Sequence, residues 1–337
     1  MALLLNPPGD DPPEDPDPWQ LRPFTAEYAR EMGLSAGTLY GPRFRRVMHG
    51  VFISAQAPDT IVVRARAARL LLPKDAVFSH QTAARLLSGP VPDTAVVHAS
   101  VARSCRRRIQ DVALHRYTYE MDAIWRHGMP VTSPAQTFIH LAAQLELPAV
   151  VAFGDAMLSH DLVSKDNLEE AVGGWQRRGG AAARYAMRFV RAGVDSPPES
   201  HVRLLFALAG LPEPQLNFVQ SDDHGVILRR IELAYRETPA RGPNGARHLG
   251  FEYDGRAFHS TPEQKSRDAL RRAELSVDGW HIEVIDADYL YRRPEMLLGR
   301  AHELMGQFGL DVPRHLNHAW RRHFWVPTWS RGTGGET

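Results

Sequence analysis

The last third of the chain, Asp195 to about Gly309, has an order of predicted elements that few folds accommodate. A helix is predicted from the start Asp195-Ser-Pro-Pro-Glu-Ser to Ala209, where Gly210 ends it. The remaining elements follow in chain order: strands at Gln215–Val219, Val226–Tyr235 and Leu249–Tyr253, a helix from Thr261 to about Val277, a strand at His281–Ile285 and a helix at Pro294–Phe308. The order α-β-β-β-α-β-α predicts a mixed sheet flanked by helices.

Four acidic residues lie where a purely structural role explains them poorly. Glu199 is in the first turn of the first helix, and Glu232 is inside the second strand. Glu252 and Asp254 end the third strand, and strand alternation places both on one face. Gathered carboxylates of this kind are the hard oxygen ligands that Mg²⁺ or Mn²⁺ requires.

Each acid also has a simpler explanation, and both interpretations stay open. The helix dipole alone favours Glu199 in a first turn. Glu232, between two apolar residues, fits the polar face of an edge strand, and Asp254-Gly255 is a common turn signal. The joint occurrence of the acids in this order of elements favours a metal site.

Several motifs of this stretch carry a family resemblance. They are Ser196-Pro-Pro-Glu-Ser, Leu204-Leu-Phe-Ala-Leu-Ala-Gly-Leu-Pro-Glu-Pro, Ile231-Glu-Leu-Ala, Glu252-Tyr-Asp-Gly with His259, Gln264 to Arg272, and Gly279-Trp280. With these motifs the stretch resembles the PD-(D/E)XK nuclease superfamily, specifically the group related to very-short-patch-repair endonucleases. The resemblance implies a restriction-endonuclease-like fold and a metal-dependent endodeoxyribonuclease.

The resemblance assigns the acids their roles. It implies that Glu232, Glu252 and Asp254 hold Mg²⁺ (or Mn²⁺) together with the helical Glu199, and that the metal activates water for phosphodiester hydrolysis. Two positions depart from the family: its usual strand Asp is Glu232, and the lysine expected two residues after Glu252 is Asp254. Water activation then falls to the metal, His259 or Gln264, and a descendant that binds DNA without cleaving it is the alternative.

The helix after the acidic strand offers phosphate-binding groups. Gln264, Arg267 and Arg271 are spaced i, i+3 and i+7, so they share one helix face. Arg267 or Arg271 can bind the scissile phosphate, and His259 can act as a general base or hydrogen-bond a phosphate. Ion pairs with neighbouring acids and a surface histidine are the simpler alternatives.

The N-terminal third is basic although the chain as a whole has a formal net charge of only +1. Residues 19–130 hold sixteen Lys and Arg against eight Asp and Glu, and the guanidinium fork suits phosphate contact. Two short predicted helices, capped by Thr25 and Ser35, precede a basic extended segment that contains Arg43, Arg45 and Arg46. Two helices and a basic β-ribbon are typical of a winged helix-turn-helix; a merely solubilising surface is the alternative.

This basic third has a resemblance of its own. The motifs that carry it are Arg43-Phe-Arg-Arg-Val-Met-His-Gly-Val-Phe, Phe78-Ser-His-Gln-Thr-Ala-Ala-Arg-Leu-Leu and Met129-Pro-Val-Thr-Ser-Pro-Ala-Gln-Thr-Phe. The region is similar to actinobacterial proteins with an AbiEi-type antitoxin winged helix, which implies DNA binding. Further strands are predicted at Thr94–Ser100 and Val112–Thr118, with the Arg103-Ser-Cys-Arg-Arg-Arg-Ile segment as a hairpin tip able to reach a phosphate.

Together these elements predict an α/β protein, α+β overall, with an N-terminal winged-helix-like module, a helical middle region and a C-terminal restriction-endonuclease-like mixed sheet flanked by helices. The predicted divisions, in chain order, are a Pro- and Asp-rich disordered tail at 1–18, the basic winged-helix-like and β region at 19–130, a helical connecting region at 131–192, the nuclease-like domain at 193–312 and a Trp- and His-rich tail at 313–337.

Composition excludes several classes of protein. One cysteine cannot form an internal disulfide, and no apolar run approaches the roughly 18 residues of a membrane span, so we expect a cytoplasmic protein with no membrane partner. An enzyme acting on a small molecule lacks any phosphate-loop or cofactor fingerprint. The hypothesis is therefore a DNA-associated, Mg²⁺-dependent endonuclease in defence or repair; the alternative is a non-catalytic DNA-binding regulator of the antitoxin type with a degenerate nuclease fold.

Overall fold

The structure, a computed structural model, describes residues 22–102, 108–221, 224, 226–255 and 279–324. Over these residues it is an α+β protein with three separate sheets. The chain divides into two compact units, the first from residues 1–145 and 162–185 and the second from residues 146–161 and 186–337. Within the described ranges, no helix has the length and apolar character needed to cross a membrane.

The bounds of the elements are as follows. The strands are β1 (Phe24–Thr25), β2 (Phe44–Met48), β3 (Val51–Ser54), β4 (Val77–Phe78), β5 (Val97–Val101), β6 (Val112–Arg116), β7 (Ala123–Arg126), β8 (Met129–Thr132), β9 (Gln215–Ser221), β10 (Ile227–Tyr235), β11 (His248–Tyr253) and β12 (Trp280–Ile285). The helices are α1 (Ala26–Glu31), α2 (Ala36–Leu39), α3 (Ile61–Arg69), α4 (His80–Leu86), α5 (Pro134–Ala142), α6 (Leu147–Ser159), α7 (Lys165–Gly174), α8 (Gly180–Met187), α9 (Pro197–Ala209), α10 (Ala287–Tyr291), α11 (Pro294–Gln307) and α12 (Arg321–Phe324).

The first unit begins with the elements expected of a winged helix. Thr25 and Ser35 cap the two short helices through their hydroxyl oxygens, as their positions in the sequence predict. Strands β2 and β3 form an antiparallel hairpin whose turn contains Gly50 at φ 76°, and β1 pairs with β3 on the other side. Phe24, Phe44 and Phe52 pack together under this small sheet.

A five-stranded mixed sheet follows in the same unit, in the order β6-β5-β4-β8-β7. Strands β5 and β6 pair in parallel, with Val97 opposite Val112 and Val101 opposite Arg116. The predicted hairpin between them is therefore wrong, because parallel neighbours need a connection that returns along the strand rather than a tight tip. Residues 103–107 of that connection lie outside the described residues, so the arginines predicted at its tip stay a prediction.

The second unit contains the sheet predicted for the last third, in the order β12-β11-β10-β9. Strands β9, β10 and β11 are antiparallel neighbours, and β12 adds parallel to β11. Helix α9 begins after the Ser196 cap and ends at Gly210, whose φ of 82° suits glycine. The predicted mixed sheet is confirmed, whereas the predicted helix from Thr261 to about Val277 lies outside the described residues.

The predicted connecting region 131–192 does not stand apart as a unit. The region is helical as predicted, but α5 and α7 belong to the first unit and α6 belongs to the second. Helix α6 packs against α9 within the second unit. Apolar patterning predicts the helices well because it is local, whereas which core each helix joins depends on distant contacts.

Candidate functional sites

The three predicted DNA-binding arginines of the β2–β3 hairpin differ in burial and hydrogen bonding. Arg45 is half-buried, and its guanidinium donates to the carbonyl oxygens of Ala57 at 3.2 Å and Pro58 at 3.1 Å. Arg43 and Arg46 are exposed on the same hairpin. Arg45 therefore holds the loop after β3, whereas contact of Arg43 and Arg46 with a phosphate backbone stays a prediction.

Of the predicted carboxylates, that of Glu232 reaches the end of β11, where Glu252 and Asp254 lie. The backbone N–H of Tyr253 donates to Glu232 Oε2 at 2.7 Å, which brings the carboxylate of Glu232 to the segment between Glu252 and Asp254. The N–H of Asp254 donates to Ile285 O at 2.8 Å, so the β-ladder continues one residue past the strand end. Continued alternation keeps the side chains of Glu252 and Asp254 on one face of the sheet.

A further acid, Asp286, contributes to the negative potential at this strand end. Burial raises the pKa of the Tyr253 hydroxyl, and the carboxylates of Asp286 and Asp254 raise it further. The Asp286 side chain also accepts the N–H of Tyr289 at 2.7 Å and so caps α10. Sequence analysis did not single out Asp286, although its position directly after β12 and before a helix is a recognisable cap signal.

The acids at this strand end are close to one another but not gathered as a complete ligand set. In the part of the chain that the structure describes, Glu232, Glu252 and Asp254 are not among the groups of three side chains that could hold a metal ion. The Mg²⁺ site at these residues therefore stays a prediction. His259, Gln264, Arg267 and Arg271, predicted to complete it, lie outside the described residues and stay predictions as well.

Glu199 has structural partners near the start of its own helix. Its side chain is buried, and Oε2 accepts the N–H of Asp195 at 3.2 Å and the Asn217 Nδ2 amide at 3.1 Å. These bonds tie the first turn of α9 to β9. They support the simpler explanation of Glu199 as a helix-start residue.

Sequence analysis missed a cluster of four histidines in the first unit. His80 opens α4, His98 lies on β5, His115 lies on β6 and His140 lies on α5. The ring of His80 stacks on the rings of His115 and His140, with centroid distances of 3.8 and 4.5 Å, and His98 Nδ1 lies 3.0 Å from His115 Nε2. The spacing of these residues matches no short motif, and they come from four separate elements of the unit.

Burial sets the charge state of the cluster. It lowers the pKa of His80 to about 2, with neighbouring histidines and Arg178 lowering it further, and it lowers the pKa values of His115 and His140 to about 4. The pKa of His98 is lowered by burial too. All four rings are therefore neutral near pH 7, with lone pairs available on ring nitrogens.

The cluster opens into a pocket of about 180 Å³ with cationic and aromatic walls. The lining beyond the histidines is Ser100, Arg116, Tyr117, Tyr119, Ala143, Gln144, Trp175, Arg177 and Arg178. The guanidinium of Arg177 lies 5.0 Å from the centre of the Tyr119 ring, and the Tyr119 hydroxyl lies 2.9 Å from His140 Nε2. Such walls favour an anionic or aromatic ligand.

Comparison with known families places this pocket in a recognisable segment of the chain. Residues 75–189 match the AbiEi antitoxin C-terminal domain. This AbiEi-like segment contains the histidine cluster and the residues that line its pocket. The resemblance to an AbiEi antitoxin is thus confirmed for residues 75–189; the winged-helix and nuclease resemblances, on either side of this segment, stay predictions.

Relatives extend the similarity over most of the chain. Two uncharacterized proteins of Mycobacterium tuberculosis, from strains CDC 1551 and H37Rv, are each 29% identical over 276 residues. The aligned region covers 81% of this chain and 93% of each relative. The similarity therefore includes more of the chain than the AbiEi-like segment alone.

Proposed function

We propose that this protein is a DNA-binding protein of the antitoxin type that acts in defence. The match of residues 75–189 to an antitoxin domain carries the proposal. The two capped helices and basic hairpin that precede this segment support it, because helix-turn-helix modules bind a duplex through such elements. Arg43 and Arg46 would contact phosphates, which gives affinity without base specificity.

Salt-dependent binding to duplex DNA tests the proposal. Replacing Arg43 and Arg46 by alanine should weaken binding and lower the slope of log affinity against log salt by about two, one for each phosphate that is no longer neutralised. The matched control replaces the exposed Arg314 and Arg322 by alanine, which removes the same charge elsewhere. Equal slopes for both double variants would refute a DNA-binding ribbon.

A second candidate, a metal-dependent endonuclease, is favoured by the strand end in the second unit. There the carboxylate of Glu232 binds the backbone between Glu252 and Asp254, on a mixed sheet of the topology that the nuclease resemblance implies. Because no lysine stands at position 254, a Mg²⁺ or Mn²⁺ ion would have to supply most of the water activation. In this proposal Glu232, Glu252 and Asp254 would bind the ion, and Glu199 would support the helix above them.

Cleavage of single- and double-stranded DNA with Mg²⁺ or Mn²⁺ tests this candidate. Glu252→Gln and Asp254→Asn should each abolish cleavage while DNA affinity stays equal or rises slightly, since a negative charge near a polyanion is removed. Glu303→Gln, an exposed acid on α11, is the control and should cleave as the unaltered protein does. If the unaltered protein cleaves DNA with neither ion, the nuclease candidate is refuted and DNA binding remains as the proposed function.

A further inference from the structure

We propose that His80, His98 and His115 form a binding site for one transition-metal ion, of which Zn²⁺ is the representative, beside the pocket of the AbiEi-like segment that His80 and His115 line. One ring nitrogen from each of the three residues lies within 4.8 Å of the others. In a tetrahedral zinc site with Zn–N bonds of about 2.0–2.1 Å, neighbouring nitrogens are about 3.3 Å apart. Closing the site around an ion therefore requires the rings of His80 and His115, which are stacked with centroids 3.8 Å apart, to rotate until their lone pairs converge.

The ligand type determines which ions fit. Imidazole suits Zn, Cu, Ni and Fe ions, whereas Mg²⁺ requires oxygen ligands. The three rings are neutral, so each has a ring nitrogen with a lone pair, and no Asp or Glu of the described residues lines the pocket. The site thus differs in chemistry from the Mg²⁺ site proposed for the second unit, and the inference stands apart from the proposed DNA binding.

Hydrogen bonds around His80 fix the orientation of its ring. Metal-bound histidines are held in the same way, by a hydrogen bond to the ring nitrogen that does not bind the metal. His80 Nδ1 lies 2.9 Å from Ser79 Oγ, and the Ser100 hydroxyl donates to that oxygen at 2.8 Å. Ser79 and Ser100 are both fully enclosed in the core. His80 itself has a φ of 53°, a conformation that costs a non-glycine residue energy and that recurs at functional sites.

Three protein ligands leave a fourth tetrahedral position open. A structural zinc site is normally closed by four protein ligands, whereas an open position takes water or a ligand. The pocket supplies cationic groups from Arg116, Arg177 and Arg178, and His140 Nδ1 is buried without a hydrogen-bond partner among the described residues. We therefore assign the fourth position to water or to an anion with phosphate-like oxygens.

Metal titration of the full chain, produced without a polyhistidine tag and stripped with EDTA, tests the site. We expect one Zn²⁺ bound per chain, a rise in the melting temperature on addition of Zn²⁺, and intense visible absorption with Co²⁺, as tetrahedral coordination produces. Inorganic phosphate should alter the Co²⁺ spectrum by entering the fourth position. Binding of less than one ion per chain, or the weak spectrum of octahedral Co²⁺, would overturn the proposal.

Variants separate this site from adventitious binding. His98→Asn should weaken Zn²⁺ binding by more than about 100-fold, and Ser79→Ala by about 10–100-fold through loss of ring orientation. The control is His49→Asn, an exposed histidine on the β2–β3 hairpin, which should bind as the unaltered protein does. Equal loss in His49→Asn and His98→Asn would refute the assignment.

X-ray absorption at the zinc edge provides a measurement that needs no variant, should His98→Asn fail to fold. Three imidazole ligands, recognised by the outer-shell scattering of their ring atoms, and one oxygen ligand are expected in the loaded, unaltered protein. A shell of oxygens only would contradict the site.

Discussion

Arg203 is the largest fully buried side chain among the described residues, and a charge in such a place needs partners. Its Nη2 lies 2.8 Å from Asp155 Oδ2 and donates to Phe189 O at 2.6 Å. Asp155 is equally buried and also accepts the N–H of Arg191 at 2.7 Å. The pair joins α6 to α9 inside the second unit.

Removal of one partner should be far more costly than loss of a surface pair. Asp155→Ala removes the buried partner of Arg203 and leaves only the partly exposed Glu213 carboxylate, 3.5 Å away, as an anionic partner, so we expect the free energy of unfolding to fall by about 3–5 kcal/mol in urea titration. The control is Glu169→Gln, which breaks the exposed Lys165–Glu169 pair of α7 and should cost at most about 0.5 kcal/mol. Similar small losses in both variants would contradict the role given to this ion pair.

At the scale of the element, the start of α9 distinguishes a structural from a chemical role for Glu199. Glu199→Ala removes the acceptor of the Asp195 N–H and of the Asn217 amide, so we expect it to destabilise the protein by about 1–3 kcal/mol. Glu199→Gln keeps an accepting oxygen and should cost less than about 1 kcal/mol. Thermal unfolding of both variants measures the difference.

The outcome has a direct bearing on the nuclease hypothesis. If Glu199→Gln retains stability but loses cleavage, the carboxylate charge acts in chemistry. If stability and activity fall together only in Glu199→Ala, the residue is a support for α9.

Elements of this chain differ in how far the sequence predicts them. The bounds of α9 follow from the Ser196 cap and Gly210, because caps and glycine act within a few residues. The direction of β6 does not follow from its residues, since an alternating apolar strand pairs equally well in either direction. The histidine cluster was missed because His80 and His140, on two helices far apart in sequence, join His98 and His115 only through contacts between distant elements.

The sequence predicts more of the acidic site than of the histidine site. Glu232 and the Glu252–Asp254 end lie on strands that are consecutive in the chain, and consecutive strands are usually neighbours in a sheet. The meeting of Glu232 with the Tyr253 N–H is therefore an extension of a local pattern. The convergence of three oxygens on one ion depends on side-chain geometry that alternation alone does not specify.

At the scale of the whole molecule, neutral histidines make stability depend on pH. Burial lowers the pKa of His201 to about 4, and it lowers those of His115 and His140 to about 4 as well. An unfolded histidine titrates near 6.5, so the unfolded chain binds more protons below that pH. The stabilising contribution is present above about pH 6.5 and is lost as the pH falls towards 4.

We expect the urea midpoint of EDTA-treated protein to fall steadily from about pH 7 to about pH 5, with His201, which lies outside the cluster, contributing about 2 kcal/mol at the lower pH. His201→Gln should reduce this dependence, because glutamine does not titrate and can still reach the Tyr291 hydroxyl that lies 2.8 Å from His201 Nδ1. A midpoint that rises on acidification would contradict the burial of neutral rings.

The path of the chain through its two units restricts how such a protein can be altered by recombination. Residues 146–161 belong to the second unit, although residues on both sides of them belong to the first. No single crossover point can therefore exchange one unit whole for a homologous one, and a fragment cut at the ends of residues 75–189 would carry Asp155 away from Arg203. We therefore expect recombination to exchange the AbiEi-like segment and the sheet β9–β12 together rather than as separate modules.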